Sequence, residues 1–392
     1  MSGASVLSGP TRELLDWPFF GPEHRDVAAA LDGFAASAAI SDIDHVDIDT
    51  SCRKLVRAMG DAGLLGIATG DAGKRDIDSR ALCLARETLA WHDGLADFAF
   101  AMQGLGTGAV GLGGSGTLRE TVLAKATSGE WLSAFALSES DAGSDVAAMT
   151  CAARLEGTDY ILDGEKTWIS NGGIADVYTV FVRTGEAPGT RGISAFVVFA
   201  DDPGFLIKER IDVIAPHPLA TIRFDGCRIP ADRLLGKAGE GFKLAMRTLD
   251  IFRASVAAAG LGLARRAFDE ALLHARSRKM FGATLGDLQM TQAALADMAT
   301  GIDSSALLTY RAAWKRDVLR QSTTREAAMA KLTATESAQR VIDACVQMFG
   351  ARGVVSGSLP EKLYRDIRAL RIYEGASEVQ KLIIARDYLK QS

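Results

Sequence analysis

The chain has 392 residues, 48% of them hydrophobic, with 44 Lys and Arg against 49 Asp and Glu for a formal net charge of -5. That length exceeds what one hydrophobic core fills, so two or three domains are expected, and the mixed charge forms no basic stripe to recommend nucleic acid or an anionic membrane surface. Cys52, Cys83, Cys151, Cys227 and Cys345 include no C-x-x-C pair and the five histidines no H-E-x-x-H spacing, so disulfides and structural zinc are not expected and a reducing, cytoplasmic setting is.

The opening stretch, MSGASVLSGPTRELLDWPFF, lacks a basic region followed by an apolar core, and no uncharged run reaches the ~18 residues of a membrane span. Residues 1–131 read as a helical domain, with Leu55, Met59 and Leu64 at helical steps and the glycine-rich stretch 104–116 breaking the run. Gly106, Gly108 and Gly111 spell G-x-G-x-x-G, but a helical pattern precedes them and no second strand completes a βαβ unit, so a nicotinamide-dinucleotide site is not expected. From 132 to 236 the period changes. Ser133–Leu137, Tyr160–Leu162, Val177–Val182, Ile193–Val198 and Ala220–Phe224 are short apolar or alternating runs between Gly, Asp and Pro, which predicts an antiparallel β domain. Residues 237–392 return to helical periodicity. One series runs Phe242, Ala245, Leu249, Phe252, Val256, Ala259, Leu263; a second has Leu295, Met298, Ile302, Ala306; a third has Ala338, Ile342, Cys345, Phe349. Long helices with short connections predict a C-terminal four-helix bundle, with Gly260 and Gly262 letting helices approach closely. The fold class is α+β, mainly α.

Near the C-terminus, YRDIRALRIYEGASEVQ places Glu374 between an apolar pair and Gly375. Ser377 and Gln380 fit a capping box, so a helix is predicted to start there with Glu374 on the loop before it. A carboxylate in an apolar loop is disfavoured in its charged form, which makes it a stronger base for a weakly acidic carbon acid. Alone, such a Glu is more often a surface residue interacting with the helix dipole than a catalytic base.

Other motifs change that balance. AFALSESDAGSD (134–145), GEKTWISNG (164–172), RKMFG (278–282), LADM (295–298), QMFGARG (347–353) and the IYEG motif occur together and in order, and the chain from about residue 85 onward resembles the acyl-CoA dehydrogenase family. The resemblance implies a helical, β, helical fold, flavin adenine dinucleotide as cofactor, and Glu374 as the base that takes the α-proton of an acyl-CoA while hydride leaves the β-carbon. It further implies that Phe135, Leu137 and Ser138 meet the flavin's pyrimidine edge, that Trp168 packs on the ring and that Ser170 reaches its polar end. Arg278, Phe281, Gln289, Gln347 and Gly350 would reach the cofactor from a neighbouring subunit of a homotetramer, and Ala376 and Glu378 would lie on the cofactor side of the IYEG motif. Ser144, Arg253 and Gly375 fall on the substrate side. Phe252 occupies the position where a minority of relatives carry the base. Departures are Ser140 for a usual Pro, Ala351 for a Gly, and Ala376 for Thr or Ser. Asp97 is a further departure, read as a paired or exposed carboxylate or alternatively as a pocket carboxylate shaping substrate choice. Electron-transfer flavoprotein is the implied electron acceptor. A same-fold flavin oxidase or monooxygenase, an acyl-carrier-protein dehydrogenase and a non-catalytic flavin-binding subunit remain as alternatives.

Overall fold

Residues 9–70 and 77–390 are described by a computed structural model of the chain; the first eight residues of the opening stretch lie outside it. The described residues form two units. One draws on Met1–Ile40, Asp78–Asp97 and Phe252–Ser392, the other on Ser41–Ile77 and Phe98–Ile251.

The second unit contains the sheet. Its strands are β1 (Ser133–Ala136), β2 (Ala152–Glu156), β3 (Asp159–Ser170), β4 (Val177–Arg183), β5 (Ile193–Phe199), β6 (Phe205–Arg210), β7 (Leu219–Pro230) and β8 (Leu234–Leu235). They lie in the order β6-β7-β3-β2-β4-β5-β8, with β1 added on β4. Pairing is antiparallel except that β1 runs parallel to β4, as does the first residue of β2. The continuous apolar runs of β4 and β5 are buried over six consecutive residues each, as expected for strands covered on both faces. β6, absent from the sequence reading, is an edge strand whose Lys208, Glu209 and Arg210 are exposed; charge protects the edge and also hides the strand from a hydrophobic-pattern search.

The helical run does break within the glycine-rich stretch, but only near its end: helix Gly94–Gly113 continues through most of it, and the next helix begins at Gly116. Each interior glycine weakens a helix, but at Gly106 the absent side chain lets the backbone of β1 come close. A Cβ on Gly106 would lie 2.5 Å from Ser133 Oγ and 2.7 Å from the Ala134 nitrogen. The Thr179 hydroxyl donates to the Gly106 carbonyl at 2.6 Å, and Gln103 both accepts from Ser133 N (2.9 Å) and donates to Trp131 O (2.8 Å).

In the first unit, helices Ser79–His92, Gln289–Asp317, Thr324–Phe349, Leu359–Leu370 and Ser377–Leu389 join the portion of Gly241–Ser277 from Phe252 onward. Their buried faces are rich in alanine, including Ala257, Ala258, Ala264, Ala306, Ala313, Ala327, Ala334 and Ala338, so backbones pack closely. Gly262 is the extreme case: a Cβ there would sit 2.2 Å from the Glu87 carbonyl. Glu87, itself buried, accepts from Arg265 Nε (2.8 Å) and from the Tyr310 hydroxyl (2.6 Å), joining three helices through one carboxylate.

Gly106→Val should lower stability by about 1–3 kcal/mol through overpacking against β1, read as a fall in denaturation midpoint. Gly111→Ala, where a Cβ meets nothing within 4 Å, should leave the midpoint unchanged or raise it.

Candidate active site

Glu374 lies between helices Leu359–Leu370 and Ser377–Leu389 with φ of 53°, followed by Gly375 at 93°. A non-glycine residue in the left-handed region costs about 1–3 kcal/mol and persists only where its surroundings hold it. The holding contacts are on the next carbonyl: Gly375 O accepts from Lys331 Nζ at 2.7 Å and from Gln380 Nε2 at 2.8 Å, and Gln380 Nε2 also reaches Glu374 O at 3.3 Å. The capping box expected of Ser377 and Gln380 is therefore replaced. Ala376 is the N-cap, the Ser377 hydroxyl donates to Glu336 at 2.5 Å, and Gln380 turns back onto the loop carbonyls because these are the acceptors left without helical partners.

The Glu374 side chain has a buried Oε2 that accepts no hydrogen bond. Burial pushes its pKa above the ordinary carboxylate value, partly offset by the positive charges of Arg86, Lys331 and Arg253, with Asp97 adding to the rise. Arg86 is nearly inaccessible and donates Nε and Nη2 to the two Asp97 oxygens at 2.8 Å each, with Nη1 to Ser255 Oγ at 3.1 Å. Burial works against its charge, but Asp97 overcomes that and holds the guanidinium protonated. Asp97 is thus a paired carboxylate. Tyr373, beside Glu374, has its phenol pKa pushed up by burial.

In the second unit a buried ion pair organises the two strand-borne motifs. Lys166 Nζ donates to Glu139 Oε1 at 2.8 Å and to Leu137 O at 3.1 Å; Glu139 also accepts from Thr150 N (2.7 Å), Thr150 Oγ1 (2.9 Å) and Cys151 N (3.0 Å). Burial pulls the Lys166 pKa down, and Glu139, desolvated but paired with Lys166, is held below the usual carboxylate range. The Thr167 N–H donates to Ser138 O at 3.0 Å, which sets Leu137 and Ser138 beside Trp168. Trp168 falls in an irregularity of the β3–β7 register, has φ of 60° and is 57% exposed. A bulge re-aims a side chain, and this one turns a large indole away from the core. Phe135 lies against Phe181 with ring centroids 4.8 Å apart, Ser170 is half-buried at the end of β3, and Ser144 is exposed.

Arg278 opens a small hairpin, β9 (Lys279–Met280) and β10 (Ala283–Thr284), whose turn holds Phe281 at φ 50° and 89% exposed. His274 stacks on Phe349 at 4.2 Å, linking the helix end that carries Arg278 to the one that carries Gln347 and Gly350. Arg278, Gln289, Gln347, Gly350 and Glu378 are all exposed and Ala376 is half-buried. Among the sequence candidates, Glu374, Gly375, Arg253 and Asp97 share the first unit's charged cluster, and in the second Leu137 and Ser138 are bonded to Lys166 and Thr167, the two residues before Trp168.

Sequence reasoning missed Arg86, Lys331 and the Glu139–Lys166 pair, and gave Gln380 a capping role in place of its bonds to the loop carbonyls. The signal for Lys331 was available: it stands on the apolar stripe Ala327, Ala330, Ala334, Ala338, where a solvated lysine has no place. Arg86 carried no comparable signal, since its partner Asp97 is eleven residues away on another helix.

Sequence models described as the N-terminal, middle and C-terminal domains of acyl-CoA dehydrogenase match residues 21–130, 134–227 and 239–389. The chain is 39% identical over 341 residues to the human mitochondrial short-chain specific acyl-CoA dehydrogenase, covering 86% of this chain and 82% of that one. Among solved structures it is similar to butyryl-CoA dehydrogenase from Megasphaera elsdenii (TM-score 0.88, 30% identity, 94% and 99% coverage). It is also similar to a glutaryl-CoA dehydrogenase from Mycobacterium smegmatis in complex with FADH2 (TM-score 0.87, 26% identity, 96% and 97% coverage).

Lys166→Met leaves Glu139 buried without its cation and should cost about 3–5 kcal/mol, whereas the double change Lys166→Met with Glu139→Leu should recover much of that loss. Chemical denaturation of the three proteins measures both values.

Proposed function

Because the chain belongs to the acyl-CoA dehydrogenase family of flavin-dependent oxidoreductases, we propose that it converts an acyl-CoA thioester to the trans-2-enoyl-CoA, with Glu374 as the base that removes the α-proton. The observation that carries this reading is the buried Glu374 oxygen that accepts no hydrogen bond, on a backbone held in a strained conformation. Such an oxygen is ready to take a proton from a ligand. Burial raises its pKa above the ordinary carboxylate value, the direction a general base needs, while Arg86, Lys331 and Arg253 oppose that rise. The backbone N–H of Glu374 is read as a donor to the thioester carbonyl, where charge gathers as the α-proton leaves.

The cofactor is read as FAD, which when bound supplies the acceptor for the hydride leaving the β-carbon. The residues present fit a flat, amphipathic ring: the exposed Trp168 indole offers an apolar face, and Ser138 and Ser170 offer polar contacts at the edge. Phe135 and Leu137 are read as its backbone contacts, with Ala376 and Glu378 near the IYEG loop. Arg278 supplies the charge for the pyrophosphate from a neighbouring chain, accompanied by Phe281, Gln289, Gln347 and Gly350. An 89% exposed Phe281 on a defined turn supports an assembled state, read as a homotetramer, in which that ring is covered. Ser144 and Arg253 are assigned to the CoA side and Asp97, through Arg86, to the wall beside Glu374. Domains are assigned as 1–131, 132–236 and 237–392, and electron-transfer flavoprotein as the electron acceptor. No helix among the described residues is long and apolar enough to cross a membrane.

Glu374→Gln should retain flavin while anaerobic bleaching by an acyl-CoA panel slows by orders of magnitude. Near-normal bleaching would move the base elsewhere. In the parent protein, bleaching that survives admission of air supports a dehydrogenase, and rapid recolouring an oxidase. The same variant carries a stability prediction. A carboxyl whose folded pKa is raised contributes stability below its unfolded pKa and loses it as pH rises through the folded value. Glu374→Gln should therefore unfold at a higher temperature than the parent at neutral pH, with the difference vanishing on acidification. Arg278→Ala should purify pale; full yellow colour with unchanged assembly would remove Arg278 from the cofactor site.

A further inference from the structure

Lys331 lies in the middle of helix Thr324–Phe349 with 0% exposure, and no carboxylate among the described residues is within ion-pair distance of it. Its Nζ makes one hydrogen bond, to the Gly375 carbonyl at 2.7 Å. A buried ammonium is costly, and an apolar side chain of similar size would satisfy the alanine-lined stripe around it better. The contact it does make is with the residue after Glu374, whose left-handed backbone needs restraint and whose carboxylate oxygen is enclosed without a donor. We infer that Lys331 is the positioning residue of the catalytic loop: its buried ammonium grips the Gly375 carbonyl, fixes the left-handed Glu374 backbone, and sets positive charge beside the Glu374 carboxylate.

This inference rests on Glu374 being the base. Two consequences follow from the surroundings of Lys331. Burial pushes its pKa down to about 8, with Glu374, Glu336 and Glu378 favouring its charged form and Arg253 opposing it. The grip and the charge are therefore present below that pH and weaken as the ammonium loses its proton above it. Gln380, which donates to the same carbonyl and does not titrate, keeps the loop folded when Lys331 is neutral.

The test uses the flavin-loaded parent, Lys331→Met, Lys331→Arg and Glu374→Gln, with anaerobic flavin reduction by acyl-CoA followed from pH 6 to 10. Lys331→Met should bind flavin, keep or raise its unfolding temperature, and lose about 10²-fold in reduction rate with KM near the parent value; its acid limb should move to higher pH. Lys331→Arg should restore most of the rate and abolish the parent's fall in rate near pH 8, because a guanidinium does not titrate there. The inference is overturned if Lys331→Met reduces its flavin at the parent rate, or if the alkaline limb is unchanged in Lys331→Arg. Should Lys331→Met fail to fold, the alkaline limb of Lys331→Arg alone decides. An active Glu374→Gln would instead sink the base assignment, a result separate from both.

Discussion

Everything proposed for the first unit depends on one carbonyl. Gly375 O receives two donors, one from the interior of a long helix and one from the helix that follows it, and the backbone just before it is consequently held where a residue with a side chain rarely sits. Release of that carbonyl would let Glu374 relax to an ordinary conformation and turn its carboxylate elsewhere. The direction of a reactive side chain is thus set by main-chain hydrogen bonding, which is more rigid than any rotamer preference.

The two units each contain a fully buried lysine, and the contrast between them is instructive. Lys166 meets a carboxylate at 2.8 Å that is itself saturated by backbone donors, a complete network whose effect is to hold two chain segments in register. Among the described residues Lys331 meets a carbonyl and no carboxylate within ion-pair distance. Burial lowers the pKa of both ammonium groups, but Lys166 is spent on its own closed network while Lys331 acts on the loop beside it.

Much of this was legible in the chain. The helical periods around Val256, Ile302 and Ile342 and the apolar runs of β4 and β5 correspond directly to buried faces, because burial is what writes those patterns. Trp168 and Phe281, chosen by resemblance, and Glu374, chosen first from its apolar loop, prove to share a positive φ, a property no composition or spacing reveals. The glycine-rich stretch does end a helix, at Gly113, but the close contact of Gly106 with Ser133 and Ala134 of β1 is invisible until that partner is known. Arg86 escaped for the same reason: its meaning lies in Asp97 and Ser255, neither adjacent in sequence, so the pairing exists only after folding.

The discontinuity of the first unit bears on how the chain must be made. Ser79–His92 is buried along almost its entire length, and part of what covers it, including Ser255, the Gly262 backbone and Tyr310 bound to Glu87, lies some 170 to 220 residues downstream. During synthesis that helix emerges long before its covering does, while every segment of the sheet-bearing unit has already left the ribosome. A nascent chain therefore carries this helix only partly covered, by the preceding helix Pro22–Ala35, through most of its translation, and a chain stopped short of Thr324–Phe349 retains the gap permanently. Premature termination in this protein should yield aggregation-prone fragments in place of folded partial enzymes, which makes the last third of the message the segment on which solubility of the whole depends.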